Sequence, residues 1–259
     1  MLSVDRQKEI LDQLFRVGSV KVSQLSQKYG VREETIRRDL KALAGKWDIT
    51  LVYGGACINN SGTTPNIHNG VKELALTAKR NTNYEAKQVI AKKAASLVEP
   101  GDTIGLNSGS TPEYILDYIG DKTPLSIVTL NVYIAAKASL LPNVQVYLPG
   151  GKVRARSGMI VGPGSAEFIR SFTIDKCFFG TSAISISGGI MHPVLAEVES
   201  NVAMREVSGK CYVVSDSSKI DKRSLFRMLP IHEVDAFIVD DDFPEEYRQY
   251  MALQNIEVI

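Results

Sequence analysis

From Thr103 to the end of the chain, short apolar runs alternate with stretches of helical periodicity. Thr103–Leu106, Ser126–Leu130, Val144–Leu148, Cys177–Phe179, Cys211–Val214, Ala236–Val239 and Ile256–Ile259 are the runs. Tyr133–Leu141, Ala196–Val207 and Glu245–Gln254 are helical stretches between them, and Ala86–Val98 precedes them. A strand that is apolar on both faces must be covered on both faces, which predicts an α/β fold with a mainly parallel sheet. Ligands of such sheets sit beyond the carboxyl ends of the strands.

A chain of 259 residues is long enough for two domains. Composition shifts near residue 60, where Asn59-Asn-Ser-Gly-Thr-Thr-Pro-Asn66 is rich in turn formers. The expected division is a first domain over 1–58, a linker over 59–80 and a second domain over 81–259. Residues 1–60 hold ten Lys/Arg against seven Asp/Glu, a net +3, and the rest hold 20 against 22, a net −2. A basic head on a mildly acidic body suits a nucleic-acid module joined to something else. No run of 18 apolar residues occurs, so no spanning helix and no membrane partner are expected. The mixed start, Met1–Ile10, is unlike a secretory signal. Cys57, Cys177 and Cys211 lie far apart without paired histidines, which speaks against a disulfide framework or a metal site. The expectation is a soluble, cytoplasmic protein with no cofactor.

The first sixty residues read as three helices. The first spans about Asp5 to Val17, with Ile10, Leu11, Leu14 and Phe15 at helical spacing and Gly18 as its stop. The second runs from Val22 through Leu25 to Tyr29-Gly30, and the third from Arg32 to Ala44, before Gly45. In the third, Ile36, Leu40 and Leu43 share one stripe, and Glu34, Arg37, Arg38 and Lys41 share the opposite one. One face packs and the other presents cations, a form that enters a DNA major groove. The bland alternative is a solvated face carrying a Glu34–Arg38 pair. The preceding helix and tight turn favour the DNA reading.

The residues Arg6-x3-Ile10-x3-Leu14, Thr35-Ile-Arg-Arg-Asp-Leu40 and Tyr53-Gly-Gly-Ala56 resemble the winged helix-turn-helix of DeoR-type bacterial transcription regulators. The resemblance implies that the third helix reads bases in a double-stranded operator and that Leu51–Ala56 forms or follows the wing. By position it makes Thr35 and Arg37 contact residues, with Arg32, Glu34, Arg38 and Lys41 beside them. Arg32 stands where the family has a capping Ser; it lacks an acceptor oxygen, and either meets a phosphate or leaves the helix start less stable. Thr50, Leu51 and Val52 are uncharged where the family often carries an Arg.

In the second half, Asn107-Ser-Gly-Ser-Thr-Pro112 follows a strand and opens a helix, with Thr111 suited to the N-cap and Pro112 to the first helical position. Such a turn is either an anion site or simply a capped turn. Arg80, Asn83, Lys87, this turn, Pro149–Arg154, Asp175-Lys176 and Asp216-Ser-Ser-Lys219 are similar to the sensor domain of the same family. That domain is similar in turn to ribose-5-phosphate isomerase and glucosamine-6-phosphate deaminase. The implied architecture is an N-terminal winged helix-turn-helix followed by an α/β sensor domain. The implied effector is a phosphorylated sugar, and the implied assembly a homodimer or homotetramer that represses carbohydrate genes. The effector residues carried over are Asn107, Ser108, Gly109, Ser110, Thr111, Gly151, Arg154 and Lys219. Glu197 and Glu199 are expected to favour a helix dipole, and His192 to be a turn histidine rather than a ligand contact. An isomerase or deaminase is the rival reading, and it requires a carboxylate base. Residues 176–196 contain no Asp or Glu, and Ala183 or a neighbour stands at the expected position. Binding without turnover is therefore expected.

Overall fold

A computed structural model describes residues 3–17, 19–44, 49–52, 54–58 and 75–259. Gly18, Gly45, Tyr53 and the Asn59–Asn66 stretch lie outside these residues. The chain divides into two compact units, Met1–Ile67 and His68–Ile259.

The smaller unit contains α1 (Ser3–Val17), β1 (Ser19–Lys21), α2 (Val22–Tyr29), α3 (Glu33–Ala44), β2 (Ile49–Val52) and β3 (Gly55–Ile58). Its core joins Ile10 and Leu14 of α1, Leu25 of α2 and Ile36, Leu40 and Leu43 of α3. The short strand β1 is not evident in the sequence. Its three residues pair antiparallel with β3, which also pairs with β2, and the hairpin of β2 and β3 is the wing. Gly55 is required there, because a Cβ would lie 2.1 Å from the Val20 carbonyl oxygen. Gly30 ends α2 in the left-handed region at φ 63°, and Ser26 Oγ donates to Val31 O across the turn into α3. One buried ion pair joins the first and third helices. Arg6 Nε donates to Asp39 Oδ2 at 2.7 Å, and Gln7 Nε2 donates to Asp39 Oδ1 at 2.9 Å. Asp39 is only 2% exposed.

The larger unit opens with α4 (Leu76–Asn81) and α5 (Tyr84–Ser96). It continues with β4 (Thr103–Leu106), α6 (Ser110–Ile115), β5 (Leu125–Thr129), α7 (Val132–Ala138) and β6 (Val144–Tyr147). A hairpin of β7 (Lys152–Val153) and β8 (Ile160–Val161) leads to α8 (Gly164–Arg170) and β9 (Ile174–Gly180). Then come β10 (Ala183–Ser185), β11 (Gly189–His192), α9 (Leu195–Glu206), β12 (Ser208–Ser215), β13 (Phe226–Leu229), β14 (Ala236–Val239), α10 (Glu245–Leu253) and β15 (Glu257–Val258). Seven strands form one sheet in the order β15-β14-β12-β9-β4-β5-β6, and every pair in it is parallel. Successive residues of the central strands enter opposite cores. Cys177, Phe179, Val213 and Phe237 pack with Ile169, Met204 and Met251 of α8, α9 and α10. Phe178, Val214 and Ile238 pack with Ile90, Ile115 and Ile134 of α5, α6 and α7. Doubly covered strands read as continuous apolar runs, which is why they are visible in the sequence. A small antiparallel sheet, β10-β11-β13, is not evident from the sequence. Cys177 and Cys211 are register neighbours in the main sheet and free thiols. No helix among the described residues is long and apolar enough to cross a membrane.

Breaking the Arg6–Asp39 pair leaves an uncompensated buried charge. Asp39→Ala should therefore lower the unfolding free energy by about 3 kcal/mol in urea denaturation. The apolar double replacement Arg6→Met with Asp39→Leu should lose much less.

Candidate ligand pocket and nucleic-acid interface

In the larger unit, the chain order of the sheet reverses at β4. β4 leads outward to β5 and β6 on one side, and β9, β12, β14 and β15 extend on the other. Loops leaving neighbouring strands in opposite directions open a crevice at such a switch point. A pocket lies at these carboxyl ends, lined by Ser108–Pro112 after β4, Gly180–Ser182 after β9, and Ser215, Asp216 and Lys219 after β12. Lys79 of α4, Thr82, Lys87 of α5 and His192 of β11 complete its wall.

Three contacts shape the floor. Asn107 bridges to the end of β9, donating from Nδ2 to Gly180 O at 3.0 Å and accepting from Gly180 N at 2.8 Å. A Cβ on Gly180 would sit 2.9 Å from Pro112 Cδ, so only glycine allows β9 to approach the turn this closely. Ser108 Oγ accepts from Asn131 Nδ2 at 2.8 Å.

The helix after the turn begins earlier than its sequence suggests. α6 starts at Ser110 with Gly109 as N-cap and no side-chain cap, so Thr111 is not the N-cap and Pro112 is not the first helical residue. Gly109 stands at the cap in extended backbone, and Ser110 and Thr111 are buried against the body instead of capping.

The pocket wall is cationic. Lys87 is nearly buried, and its ammonium donates to the carbonyls of Lys79 and Thr82. Burial pulls its pKa down to about 8, and the Lys219 and Lys79 charges add to that against the opposing pull of Asp216. Asp216 is held by Asn83 Nδ2 at 2.8 Å and by the Ser218 hydroxyl, with Lys219 Nζ at 3.9 Å. Its pKa is lowered: burial alone would raise it, and Lys219, the hydrogen bonds from Ser218 and Asn83, and Lys87 outweigh that. The pocket therefore holds fixed cations and hydroxyls beside one ionised carboxylate, a set that accepts an anion together with hydroxyl groups.

The structure brings Ser108, Gly109, Ser110, Thr111 and Lys219 around this one pocket. Asn107, Gly151 and Arg154 are not among its lining residues. Asn107 serves as the strut to β9. Gly151 is exposed at φ 150° beside the β7–β8 hairpin. Arg154 pairs through Nη1 with Glu197, which is 1% exposed. Glu197 lies in the first turn of α9, as its expected place at a helix start requires, and is buried there as an ion-pair partner. Its oxygens also take the Ser157 hydroxyl at 2.7 Å and lie 3.5 Å from His192 Nε2. Glu199 is exposed. Sequence reasoning did not assign Lys79, Thr82, Lys87 or Asp216 to the pocket, and His192, expected as a turn residue, ends strand β11 and lines the pocket. The rule that ligands meet strand ends applies to β9 and β12 as well as β4, and would have reached Asp216.

In the smaller unit, α3 buries Ile36, Asp39, Leu40 and Leu43 and exposes Glu33, Glu34, Arg37, Arg38 and Lys41. Thr35 is half-buried and Arg32, just before the helix, is exposed. Arg37 is held by Glu33 at 2.8 Å and Glu34 at 3.4 Å, rather than Glu34 pairing with Arg38. These acids sit in the first turn, where they favour the helix dipole in place of a side-chain cap. Leu51 and Val52 of the wing are exposed and uncharged.

Comparison with known proteins covers both units. Residues 6–62 match the DeoR-like helix-turn-helix domain, and residues 82–241 match the DeoR C terminal sensor domain. The glycerol-3-phosphate regulon repressor of Escherichia coli K12 is 29% identical over 100% of this chain and 99% of its own length. FruR of Bacillus subtilis, an uncharacterized HTH-type transcriptional regulator by name, is 31% identical over 100% of this chain and 99% of its own. A solved ribose 5-phosphate isomerase from Methanocaldococcus jannaschii aligns with 55% of this chain and 56% of its own, at 16% identity and a TM-score of 0.41.

An anion in the pocket gains from the protonated form of Lys87. Sulfate keeps a fixed charge across the relevant range, so its affinity should fall about tenfold between roughly pH 7.5 and 9.5 as Lys87 loses its proton. In Lys87→Met the titration should be weak and nearly flat over the same range.

Proposed function

Because the chain belongs to the DeoR family of helix-turn-helix transcriptional regulators, we propose that it represses genes of carbohydrate metabolism under the control of a phosphorylated sugar. The full-length relatives are named as regulators and repressors, not as enzymes. In this reading residues 1–58 bind the operator, 59–80 connect, and 81–259 sense the effector.

The observation that carries the reading is the pocket at the sheet's switch point, where Lys79, Lys87 and Lys219 line one cavity with Ser108, Ser110 and Thr111. Three ammonium groups beside small hydroxyls suit a dianionic phosphate. Asp216 can accept hydrogen bonds from the hydroxyls of a sugar. The name of the Escherichia coli relative, a glycerol-3-phosphate regulon repressor, belongs to the same class of small phosphorylated carbohydrate. Ser157, Arg154 and His192 occupy the oxygens of Glu197, which leaves that carboxylate engaged as an ion-pair partner.

On the DNA side, Thr35, Arg37, Arg38 and Lys41 face bases and phosphates, flanked by Arg32 and Glu34. Two or four copies present paired readers to a pseudo-palindromic operator. An effector shifts occupancy only through its differential affinity for two arrangements, typically about 1–3 kcal/mol. The proposed sign is release of the operator on binding.

Two experiments test this. Duplexes selected by the full chain from a random pool supply the operator. Arg37→Ala should weaken binding to it by about 1–3 kcal/mol and blur the preference at one or two positions; unchanged affinity rejects the base contact. Ser110→Asp places a carboxylate at the anion site. It should abolish thermal stabilisation by a panel of sugar phosphates while sparing operator binding, and a retained response rejects the pocket as the effector site.

A further inference from the structure

The helix α4 is the first described element after residues 59–74, the stretch leading from the smaller unit into the larger one. It is also a wall of the pocket. Its Lys79 and the following Thr82 line the cavity. Leu76 at its start is buried, and the attachments along the rest of it are largely polar. At its start, Leu76 N donates to Arg156 O at 2.9 Å, in the loop of the β7–β8 hairpin. Near its end, Arg80 clasps Glu113 of α6 with two hydrogen bonds of 3.0 and 2.8 Å. Tyr114 of α6 donates its hydroxyl to Arg80 O at 3.0 Å, and the ammonium of Lys87 holds the carbonyls of Lys79 and Thr82 at 2.5 and 2.6 Å, with Ser110 Oγ donating to the same Lys79 carbonyl at 3.4 Å.

An ammonium has three donors. Two of those on Lys87 are taken by the carbonyls at the end of α4, and Lys87 itself lines the cavity. We propose that the effector's anionic group takes the third donor of Lys87 and, together with Lys79, fixes α4 against the pocket, so that α4 is the element that reports occupancy toward the DNA-binding unit. This rests on the pocket being the effector site. Lys79, Lys87 and Lys219 bring like charges to one cavity; burial is the main cause of the lowered pKa of Lys87, and the charges of Lys219 and Lys79 add to it against Asp216. An anion among them removes the repulsion that bears on α4 and bridges α4 to Ser110 and Thr111 of α6. The anion thus adds a contact to Lys87 without displacing the two carbonyls, and the expected response of α4 is tightening.

The test is amide hydrogen exchange of the full chain with and without saturating inorganic phosphate, at ionic strength matched with chloride. Phosphate binding is read separately by thermal shift, with Ser110→Asp as the control that removes the site. The expected result is exchange about tenfold slower over residues 76–83 with phosphate, the scale of a change in local opening. Lys87→Met should exchange faster over the same residues without phosphate and show no slowing with it. If phosphate stabilises the wild-type chain but not Ser110→Asp, and exchange over 76–83 is unchanged or faster, the inference on α4 is overturned while the pocket assignment stands. If phosphate and the sugar-phosphate panel leave both proteins unaffected, the pocket assignment falls and the inference with it. The wild-type comparison decides the matter alone should Lys87→Met not fold.

Discussion

β4 is hydrogen-bonded on both sides, to β5 in one direction of the sheet and to β9 in the other. The chain leaves β4 toward one edge and later returns on the opposite flank, so the loops after β4 and β9 diverge. The gap is held at a fixed width by the paired hydrogen bonds between Asn107 and the Gly180 backbone and by contact of Gly180 with Pro112. The wall residues carried by the main sheet depend on this register. Ser110 and Thr111 hang from β4, Thr181 and Ser182 from β9, and Asp216 and Lys219 from β12. Loss of the strut would not merely remove a side chain; it would change the spacing on which the pocket is built.

Charge placement around the gap follows the rule that buried ions need partners. Asp216 is met by Asn83, Ser218 and Lys219, and Glu197 by Arg154, Ser157 and His192. The two networks differ in access. Asp216 lines the cavity, whereas Glu197 stands behind His192 and is not a lining residue. A carboxylate whose oxygens are taken by a guanidinium and a hydroxyl is poorly placed to draw a proton from a substrate carbon. This agrees with the regulator names of the relatives.

Much of the architecture was legible because its signals are local. The doubly covered strands announce themselves as apolar runs, and the stripe of Ile36, Leu40 and Leu43 marks the packed side of α3. The Ser108–Thr111 turn could be located because it directly follows a strand. What stayed hidden depends on long-range encounters. Asn83 meets Asp216 across 133 positions, and Arg6 meets Asp39 across 33, with no periodicity linking either pair. The short strand β1 owes its existence to β3 and not to its own three residues. Glu197 looked like an ordinary first-turn acid, since nothing near it in the chain reveals the arginine that will bury it. Thr111 looked like a cap because Ser and Thr usually compete for that place; burial decided otherwise.

The exposed side of α3 carries its own counter-ions, with Glu33 and Glu34 clasping Arg37 before any polyanion arrives. Any partner that takes up that guanidinium must first break both pairs and leave two acids beside it. Exposed pairs of this kind are worth about 0–1 kcal/mol each, so they hold the side chain in place without locking it there.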